Sequence, residues 1–237
     1  MSGSYDNRTR NRLYDQMNIA HEFLKCGCTE NRCPLFSKCC FLPTECHPDP
    51  EGKVSLLFVG EGCCIEELKQ LRPFIGKAGV RLKQQILFVR KKLGKHIGVA
   101  FSNTIRGYLD GNRTPTPQEY KYCLKHLYRD IATLKKRGLG IVIPLGNATK
   151  SVFLPDSGSM VVEHGKISNF SNEAFGHINI MPMYHPSFVV RSAPKFNDPC
   201  LSNFDKIVLR EIIKAYESCK NNKPEVDDGE IDVSGVL

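Results

Sequence analysis

The sequence VSLLFVG, residues 54–60, is a short and nearly continuous apolar run. Three further runs have a similar length and composition: HIGVAFS (96–102), GIVIPLG (140–146) and HINIMPMY (177–184). Continuous apolar strands are typical of parallel sheets that are covered on both faces. Because helical patterns lie between these runs, the sequence predicts an α/β fold with a doubly wound, mostly parallel, four-stranded sheet flanked by helices.

The best-marked helix lies at residues 117–137. Thr116 is a good N-cap, Pro117 suits the first helical position, and Glu119 stands where a capping box needs an acid. Gly138 is expected to end this helix.

A second helix is predicted at residues 78–93. Its apolar face is expected to contain Val80, Ile86, Leu87 and Val89. A last helix, at residues 203–219, is expected to complete the domain.

The charge of the chain is compatible with a nucleic-acid partner and equally with a basic protein that has none, and its hydropathy predicts no membrane span. The chain has 237 residues and a formal net charge of +8; the tail at 220–237 has a net charge of −3, so the rest of the chain carries about +11. The positive charge of the chain before this tail suits a polyanion such as DNA. No run of eighteen apolar residues exists, and the polar N-terminus lacks the apolar core of a secretory signal. We therefore expect an intracellular, cytoplasmic protein that acts as a monomer, without an obligate protein partner.

The chain contains eleven cysteines, of which six lie between Cys26 and Cys46. In a reducing compartment, such a cluster more often binds metal than forms disulfides. The sequence thus predicts an N-terminal arm and Cys-rich metal-binding segment at 1–50, an α/β domain at 51–219 and an acidic, disordered tail at 220–237.

Polar side chains follow three of the predicted strands. Glu61 follows the first strand, Asn103 the second and His185 the fourth. Ligands of such sheets bind beyond the carboxyl ends of the strands, so these three side chains are expected to share one rim. Each also has a structural alternative: a helix cap for Glu61, a turn for Asn103 and a packing role for His185.

The motifs at this rim resemble those of the uracil-DNA glycosylase superfamily, most of all its iron–sulfur family, called family four. GEGCCIEE at 60–67 and RPFIGKAG at 72–79 are similar to the first motif of that family. NTIR at 103–106 and GNRTPTP at 111–117 are similar to the second motif and its loop, and HPSF at 185–188 is similar to the last motif.

The resemblance covers roughly residues 26–215 and implies a DNA glycosylase. Such an enzyme flips a uracil or modified pyrimidine out of DNA, hydrolyses its N-glycosidic bond and leaves an abasic site. The resemblance implies catalytic roles for Glu61, which would orient or activate water or stabilise the cationic sugar, for Asn103 at the base edge and for His185 at the base O2. The residues that it implies for base binding are Gly60, Gly62, Cys63, Phe74 and Asn103.

The loop after His185 is expected to enter the DNA minor groove. Phe188, Val189 or Val190 would then act as an apolar wedge, unless these residues simply pack as helix or core. The residues expected to contact DNA are Arg113, Ser187, Phe188, Arg191 and Lys195.

The resemblance also implies a [4Fe–4S] cluster, with zinc as the alternative. Cys33 and Cys123 match family ligands, whereas Gly107 stands where the family has a third one. The candidate ligands, any four of which would suffice, are Cys28, Cys33, Cys40, Cys46 and Cys123, and Cys26 or Cys39 could replace one of them.

Cys63 and Cys64 stand where the family usually has Pro and Gly. The excised base is therefore either uracil or a modified pyrimidine such as those of phage DNA, and the role either base-excision repair or antiviral defence. A second hypothesis is a catalytically inactive, metal-stapled DNA-binding module with the same fold. A third is a protein that binds a free nucleotide, which the lack of Walker A and G-x-G-x-x-G patterns disfavours.

Overall fold

The computed structural model describes residues 34–35, 42–109, 111, 113–192 and 203–221. Within these residues the strands are β1 (Glu45–His47), β2 (Leu56–Gly60), β3 (Val99–Asn103), β4 (Ile141–Pro144), β5 (Ser168–Asn172) and β6 (Gly176–Ile180). The helices are α1 (Ile65–Gln70), α2 (Lys77–Leu93), α3 (Pro117–Lys135), α4 (Asn147–Phe153), α5 (Met160–Glu163), α6 (Pro186–Ser192) and α7 (Asn203–Asn221).

The described strands form one sheet in the order β1-β3-β2-β4-β6-β5. The four predicted strands are its centre and pair in parallel, which confirms the predicted fold class. The predicted number of four strands is wrong, because β1 and β5 add an antiparallel strand at each edge. Their sequences, ECH and SNFSN, are short and polar, so neither shows the continuous apolar pattern of a buried strand.

Helices cover both faces of the sheet. Leu56 and Phe58 of β2 point to one face, where α2, α6 and α7 pack. Leu57 and Val59 point to the other face, where α3 and α4 pack. This alternation explains why the central strands are apolar along their whole length.

Helix α2 buries two of the four residues predicted for its apolar face, Ile86 and Val89, and exposes the other two. Leu82, Ile86 and Val89 pack into the core, whereas Val80 and Leu87 are 46% and 59% exposed. The buried set follows i, i+4, i+7 spacing, and the prediction had mixed residues from two sides of the helix.

The same helix also buries two polar side chains against α7. Arg81 donates from Nε to Oδ1 of Asp205 at 3.0 Å and from Nη2 to Oδ2 at 3.1 Å, and Gln85 donates to Oδ1 at 2.8 Å. Asp205 is completely buried. This ion pair joins two helices that are distant in the sequence.

Helix α3 begins where the sequence predicts. The Thr116 hydroxyl accepts the N–H of Glu119 at 3.3 Å, and Glu119 Oε2 accepts the N–H of Thr116 at 2.7 Å. The helix ends at Lys135, two residues before the predicted end, and Gly138 follows with a φ of +89°.

Residues before the predicted domain boundary at position 50 contribute to the sheet. β1 pairs with β3, and buried Arg106 donates to Thr44 at 3.0 Å and to Asp130 at 2.5 Å. The division at 1–50 and 51–219 stays a prediction, and the part of the tail after 221 lies outside the described residues. None of the helices in the described part of the chain has the length and apolar composition of a bilayer span.

Candidate active site

A cavity of about 310 Å³ opens at the carboxyl ends of the parallel strands. Glu61, Phe74, Asn103 and His185, which come from four separate segments, all line it. A volume of this size is at the small end of ligand pockets, which span roughly 300–1,000 Å³. Five further residues that the sequence analysis singled out line the same cavity: Gly60, Gly62, Cys63, Cys64 and Arg113.

The register of the sheet brings two of the motifs together. β2 and β3 pair in parallel with Gly60 opposite Asn103. A Cβ atom on Gly60 would lie 2.5 Å from Oδ1 of Asn103 and 3.1 Å from Cζ of Phe74. A side chain at position 60 would therefore displace Asn103 or Phe74, because these two side chains fill the space of a methyl group.

Asn103 carries a buried polar group without a protein partner. Its side chain is 2% exposed, and its Nδ2 has no hydrogen-bond partner among the described residues. An unsatisfied buried donor costs roughly 1–3 kcal/mol. Such a donor in the wall of a cavity is suited to a carbonyl oxygen of a ligand.

Phe74 forms an aromatic wall of the cavity. Its ring lies 5.5 Å from the ring of Phe101, centroid to centroid, and it is 7% exposed. Its φ is +57°, and Leu71, three residues earlier, has a φ of 51°. Such left-handed backbone in residues other than glycine costs about 1–2 kcal/mol and is concentrated at functional sites.

Glu67 organises this wall and was missed by the sequence analysis. Its Oε1 accepts the N–H of Phe74 at 2.5 Å, and its Oε2 accepts the N–H of Cys64 at 2.9 Å. The second bond caps α1 in the manner of a capping box, with Cys in place of Ser or Thr. A search for that pattern with Cys at the cap position would have found it.

Glu61 is held through both its backbone and its side chain. Its carbonyl accepts the Thr104 hydroxyl at 2.6 Å and the N–H of Ile105 at 2.8 Å. The hydroxyl of Tyr120, on α3, donates to Oε1 of Glu61 at 3.2 Å. Burial and the nearby Glu61 carboxylate raise the pKa of Tyr120 to about 12, so the phenol remains a donor at neutral pH. Tyr120 was not predicted, because its partner Glu61 is 59 residues away in the sequence.

The hydrogen bonds of His185 define its tautomer. Nδ1 accepts the N–H of Ser187 at 3.2 Å and lies 2.7 Å from the Ser187 hydroxyl. Burial, with Arg191 as a second cause, lowers the pKa of His185. The imidazole is therefore neutral at neutral pH and carries its proton on Nε2, which makes Nε2 a hydrogen-bond donor.

Gly146 brings the end of β4 close to this histidine. A Cβ atom at Gly146 would lie 3.2 Å from the Cβ of His185, and Gly146 has a φ of +87°. The third predicted strand thus contributes to the same rim through a glycine.

Of the residues expected to contact DNA, Arg113 lines the cavity. Arg113 is exposed and donates from Nη1 to Glu119 Oε2 at 2.8 Å. Arg191 is exposed on α6, and Ser187 is half-buried beside His185. Lys195 lies outside the described residues.

The three wedge candidates differ in exposure. Phe188 is 37% exposed, whereas Val189 is 1% exposed and packs in the core. Val190 is half-buried. Burial removes Val189 from the set, since a wedge must reach the DNA, and the segment is a helix rather than an open loop.

Of the candidate metal ligands, Cys46 and Cys123 are described, and Cys28, Cys33 and Cys40 lie outside the described residues. No group of three or more metal-binding side chains comes together in the described part of the chain. Cys123 is buried in a cluster with Leu35, Ile105 and Leu109. Leu35 stands two residues after Cys33, a chain length of at most about 7 Å.

The two cysteines of the first motif occupy different environments. Cys63 is buried against Leu42 and Leu68, and burial raises the pKa of its thiol. Cys64 is half-buried at the N-cap of α1 and lines the cavity.

Comparison with known proteins gives consistent matches. Residues 48–207 match the family described as the Uracil DNA glycosylase superfamily. The chain is similar to the type-4 uracil-DNA glycosylase of Thermotoga maritima, with 29% identity over 165 residues, 70% of this chain and 78% of the relative. The type-4 enzyme of Pyrobaculum aerophilum is 27% identical over 175 residues, 72% of this chain and 83% of the relative. The type-4 enzyme of Saccharolobus solfataricus is 25% identical over 212 residues, 87% of each chain.

Proposed function

The chain belongs to the uracil DNA glycosylase superfamily and is a DNA glycosylase, and from this premise we propose that it excises uracil from DNA by hydrolysing the N-glycosidic bond of a flipped-out nucleotide. The predicted family and enzyme class are thereby confirmed. The observation that carries the proposed substrate is the buried, unpartnered amide of Asn103, in one cavity with Phe74 and His185.

The base-binding half of the cavity suits a pyrimidine. The ring of Phe74 offers a stacking surface, and stacking on an aromatic side chain contributes roughly 1–3 kcal/mol per base. Asn103 supplies a donor for O4 of uracil and an acceptor for its N3–H. Gly62 and Cys63 line the same cavity, and we propose that their backbone N–H groups hold the base or its phosphate.

The proposed roles of His185 and Glu61 follow from the charges that develop as the N-glycosidic bond breaks. Electrons move onto the departing base, so O2 becomes anionic, and the Nε2–H of His185 would donate to it. Donors aimed at transition-state charge contribute strongly, with losses of about 10²–10³ in rate on removal. The Glu61 carboxylate, held by Tyr120, would orient the attacking water and stabilise the cationic sugar.

The DNA would lie across the rim around this cavity. Arg113, Ser187, Arg191 and Lys195 are proposed to contact the phosphates, and Phe188 to fill the place of the flipped base. Exposure supports Phe188 as the wedge, since it is the most exposed of the three apolar candidates.

A modified pyrimidine is the second candidate substrate, and the side chain of Cys64 is the observation that favours it. Cys64 lines the cavity at a position where the family usually has glycine. We propose base-excision repair as the biological setting, and removal of modified bases from phage DNA is the corresponding alternative.

The test uses the purified protein with single- and double-stranded oligonucleotides that contain uracil, hydroxymethyluracil or hydroxymethylcytosine. Released base is identified by mass, and abasic sites by alkaline strand cleavage. We expect free uracil, with release reduced by Asn103→Ala and by His185→Ala. The matched controls are Asn169→Ala and His177→Ala, exposed positions on β5 and β6. Intact DNA across the whole panel would contradict the proposal.

We also propose that Cys33 and Cys123, with two of Cys28, Cys40 and Cys46, hold a [4Fe–4S] cluster, or zinc as the alternative. The packing of Leu35 beside Cys123 supports this set. The group would tie the N-terminal segment to α3.

Visible absorbance and metal analysis of the purified protein test the metal proposal. An iron–sulfur cluster gives a broad visible band that zinc does not. Cys123→Ser should lose the metal and lower the melting temperature, whereas Cys219→Ser should retain it. A protein that contains neither iron nor zinc would contradict this proposal.

A further inference from the structure

Glu67 is a buried carboxylate that lies between two parts of the first motif. It is 9% exposed and lines the cavity. Before it, the N–H of Cys64 donates to Oε2 at 2.9 Å; after it, the N–H of Phe74 donates to Oε1 at 2.5 Å. Its backbone carbonyl also accepts the N–H of Arg72 at 3.1 Å. One residue therefore connects the loop before α1 to the turn after it.

The turn that ends at Phe74 needs such a connection. Phe74 is left-handed, with a φ of +57°, and so is Leu71, the residue after α1. A strained backbone of this kind persists only where its surroundings fix it. On the other side, Gly79 packs so closely against the Phe74 backbone that a Cβ atom there would overlap it. Phe74 is thus held between Glu67 and the first turn of α2.

We propose that Glu67 is a positioning residue for the reaction, which acts by holding the Phe74 ring in place to stack on the flipped base. This inference rests on the proposed function, since it deepens the role of the same cavity. Glu67 does not need to touch the base itself; its carboxylate fixes the backbone from which the stacking ring extends.

The chemistry of the site explains why the residue is an acid. The two backbone groups that bond to the Glu67 side chain are N–H donors, and an ionised carboxylate is purely an acceptor. Hydrogen bonds to a charged acceptor are roughly twice as strong as neutral ones. A glutamine of the same shape would accept one N–H but would turn its own NH₂ towards the other, so it would lose one of the two bonds.

The experiment compares Glu67→Gln, Phe74→Ala and the double variant, with Glu66→Gln as the matched control. Glu66 is the preceding residue on α1, and its exposed carboxylate pairs with Lys69. Uracil release is measured below the melting temperature of each variant. We expect Glu67→Gln to lower kcat/KM about tenfold, mainly through KM, because stacking acts in both the bound and the transition state. Phe74→Ala should lower it by roughly 5- to 150-fold.

The double variant separates positioning from general stability. If Glu67 acts through Phe74, the double variant is no slower than Phe74→Ala alone, since the ring that Glu67 positions is already gone. Additive losses, or a kcat/KM of Glu67→Gln equal to that of Glu66→Gln, would overturn the inference.

An amide NMR spectrum gives a second readout that does not require activity. We expect the Phe74 and Cys64 amide protons to move upfield in Glu67→Gln and to stay unchanged in Glu66→Gln, and an unchanged Phe74 amide in Glu67→Gln would overturn the inference. Failure of the wild-type protein to release any base contradicts the proposed function instead, and this is seen before any variant is compared.

Discussion

Gly60 and Asn103 face each other at the ends of β2 and β3, and their contact sets the shape of the base-binding wall. The amide is buried, and its Oδ1 and the edge of the Phe74 ring occupy the space that a side chain at Gly60 would need. The shape of the cavity thus depends on the absence of a side chain at position 60 as much as on the amide at position 103.

Gly60→Ala should therefore impair catalysis more than folding. The new methyl group must displace Asn103 or Phe74, and loss of one buried hydrogen bond of 1–3 kcal/mol corresponds to a fall in kcat/KM of roughly 5- to 150-fold. Uracil release and urea unfolding measure the two effects. Gly158→Ala is the control, because a Cβ there meets only side-chain atoms at 3.4–3.5 Å. Equal activities of the two variants would contradict the argument.

His185 predicts how activity depends on pH. Burial and Arg191 lower its pKa, so the neutral form persists below about 6.5, the ordinary value for histidine. Protonation of Nδ1 would remove the acceptor for the Ser187 N–H and displace the ring. We expect kcat/KM to fall on the acid side with an apparent pKa below that ordinary value. His185→Asn should lose this acid limb, and a limb that persists in the variant would assign it to another group.

Among the helices, α3 contributes to three parts of the proposed site: the metal ligands, the surroundings of the Glu61 carboxylate, and the rim that would face DNA. Cys123 and Tyr120 lie on its first turns, and Glu119 at its start holds Arg113. The capping box that begins this helix therefore also orients an arginine beside the cavity.

The Glu119 carboxylate makes this start of α3 sensitive to acid. Its hydrogen bond with Arg113, together with those with Thr116, lowers the pKa of Glu119 to about 2, against an ordinary value of 4.5. A carboxyl with a lowered pKa stabilises the fold fully above its ordinary value and loses that contribution as pH falls towards about 2. Urea unfolding should show Glu119→Gln less stable than wild type at pH 7, with a difference that shrinks from pH 4.5 downwards.

Glu66→Gln is the control for this comparison, because Glu66 is exposed. A stability difference for Glu119→Gln that is constant with pH would contradict the assignment to this carboxyl.

Local signals explain which elements could be predicted. The start of α3 is encoded within four residues, Thr116 to Glu119, and the structure agrees with it. The buried face of α2 was predicted only in part from its own sequence, because Arg81 and Gln85 point inwards to meet Asp205 on α7. That partner lies more than a hundred residues further along the chain.

In the domain as a whole, Asp205 connects α7 to α2, two helices that are far apart in the sequence. It is completely buried and is paired with Arg81. Asp205→Ala leaves a buried guanidinium without its counter-charge, which costs about 3–5 kcal/mol. Urea unfolding should show a loss of this size, whereas Glu217→Gln, at an exposed position of α7, should change stability little. A loss below about 1 kcal/mol would contradict a structural role for this pair.

More of the candidate site than of the sheet edges could be predicted from the sequence. Glu61, Asn103 and His185 follow apolar strands, so the rule that parallel strands end at one rim places them together. Tyr120 was not predicted because its contact with Glu61 joins residues that are far apart in the sequence. Glu67 was not predicted because its capping box has Cys64 in place of Ser or Thr, and because its bond to the Phe74 N–H depends on the turn after α1. β1 and β5 were not predicted, because short polar strands form by pairing with a neighbouring strand and carry no apolar pattern of their own.

The pairing of Gly60 with Asn103 has a consequence for how this enzyme can change over time. Two contributions to the pocket are spaced by the backbone ladder of the central sheet, so their separation does not depend on any surface segment. The segments around Arg113 and Phe188 can then lengthen, shorten or exchange side chains without disturbing that spacing. New preferences for the DNA around the flipped nucleotide can then evolve while the catalytic residues stay unchanged.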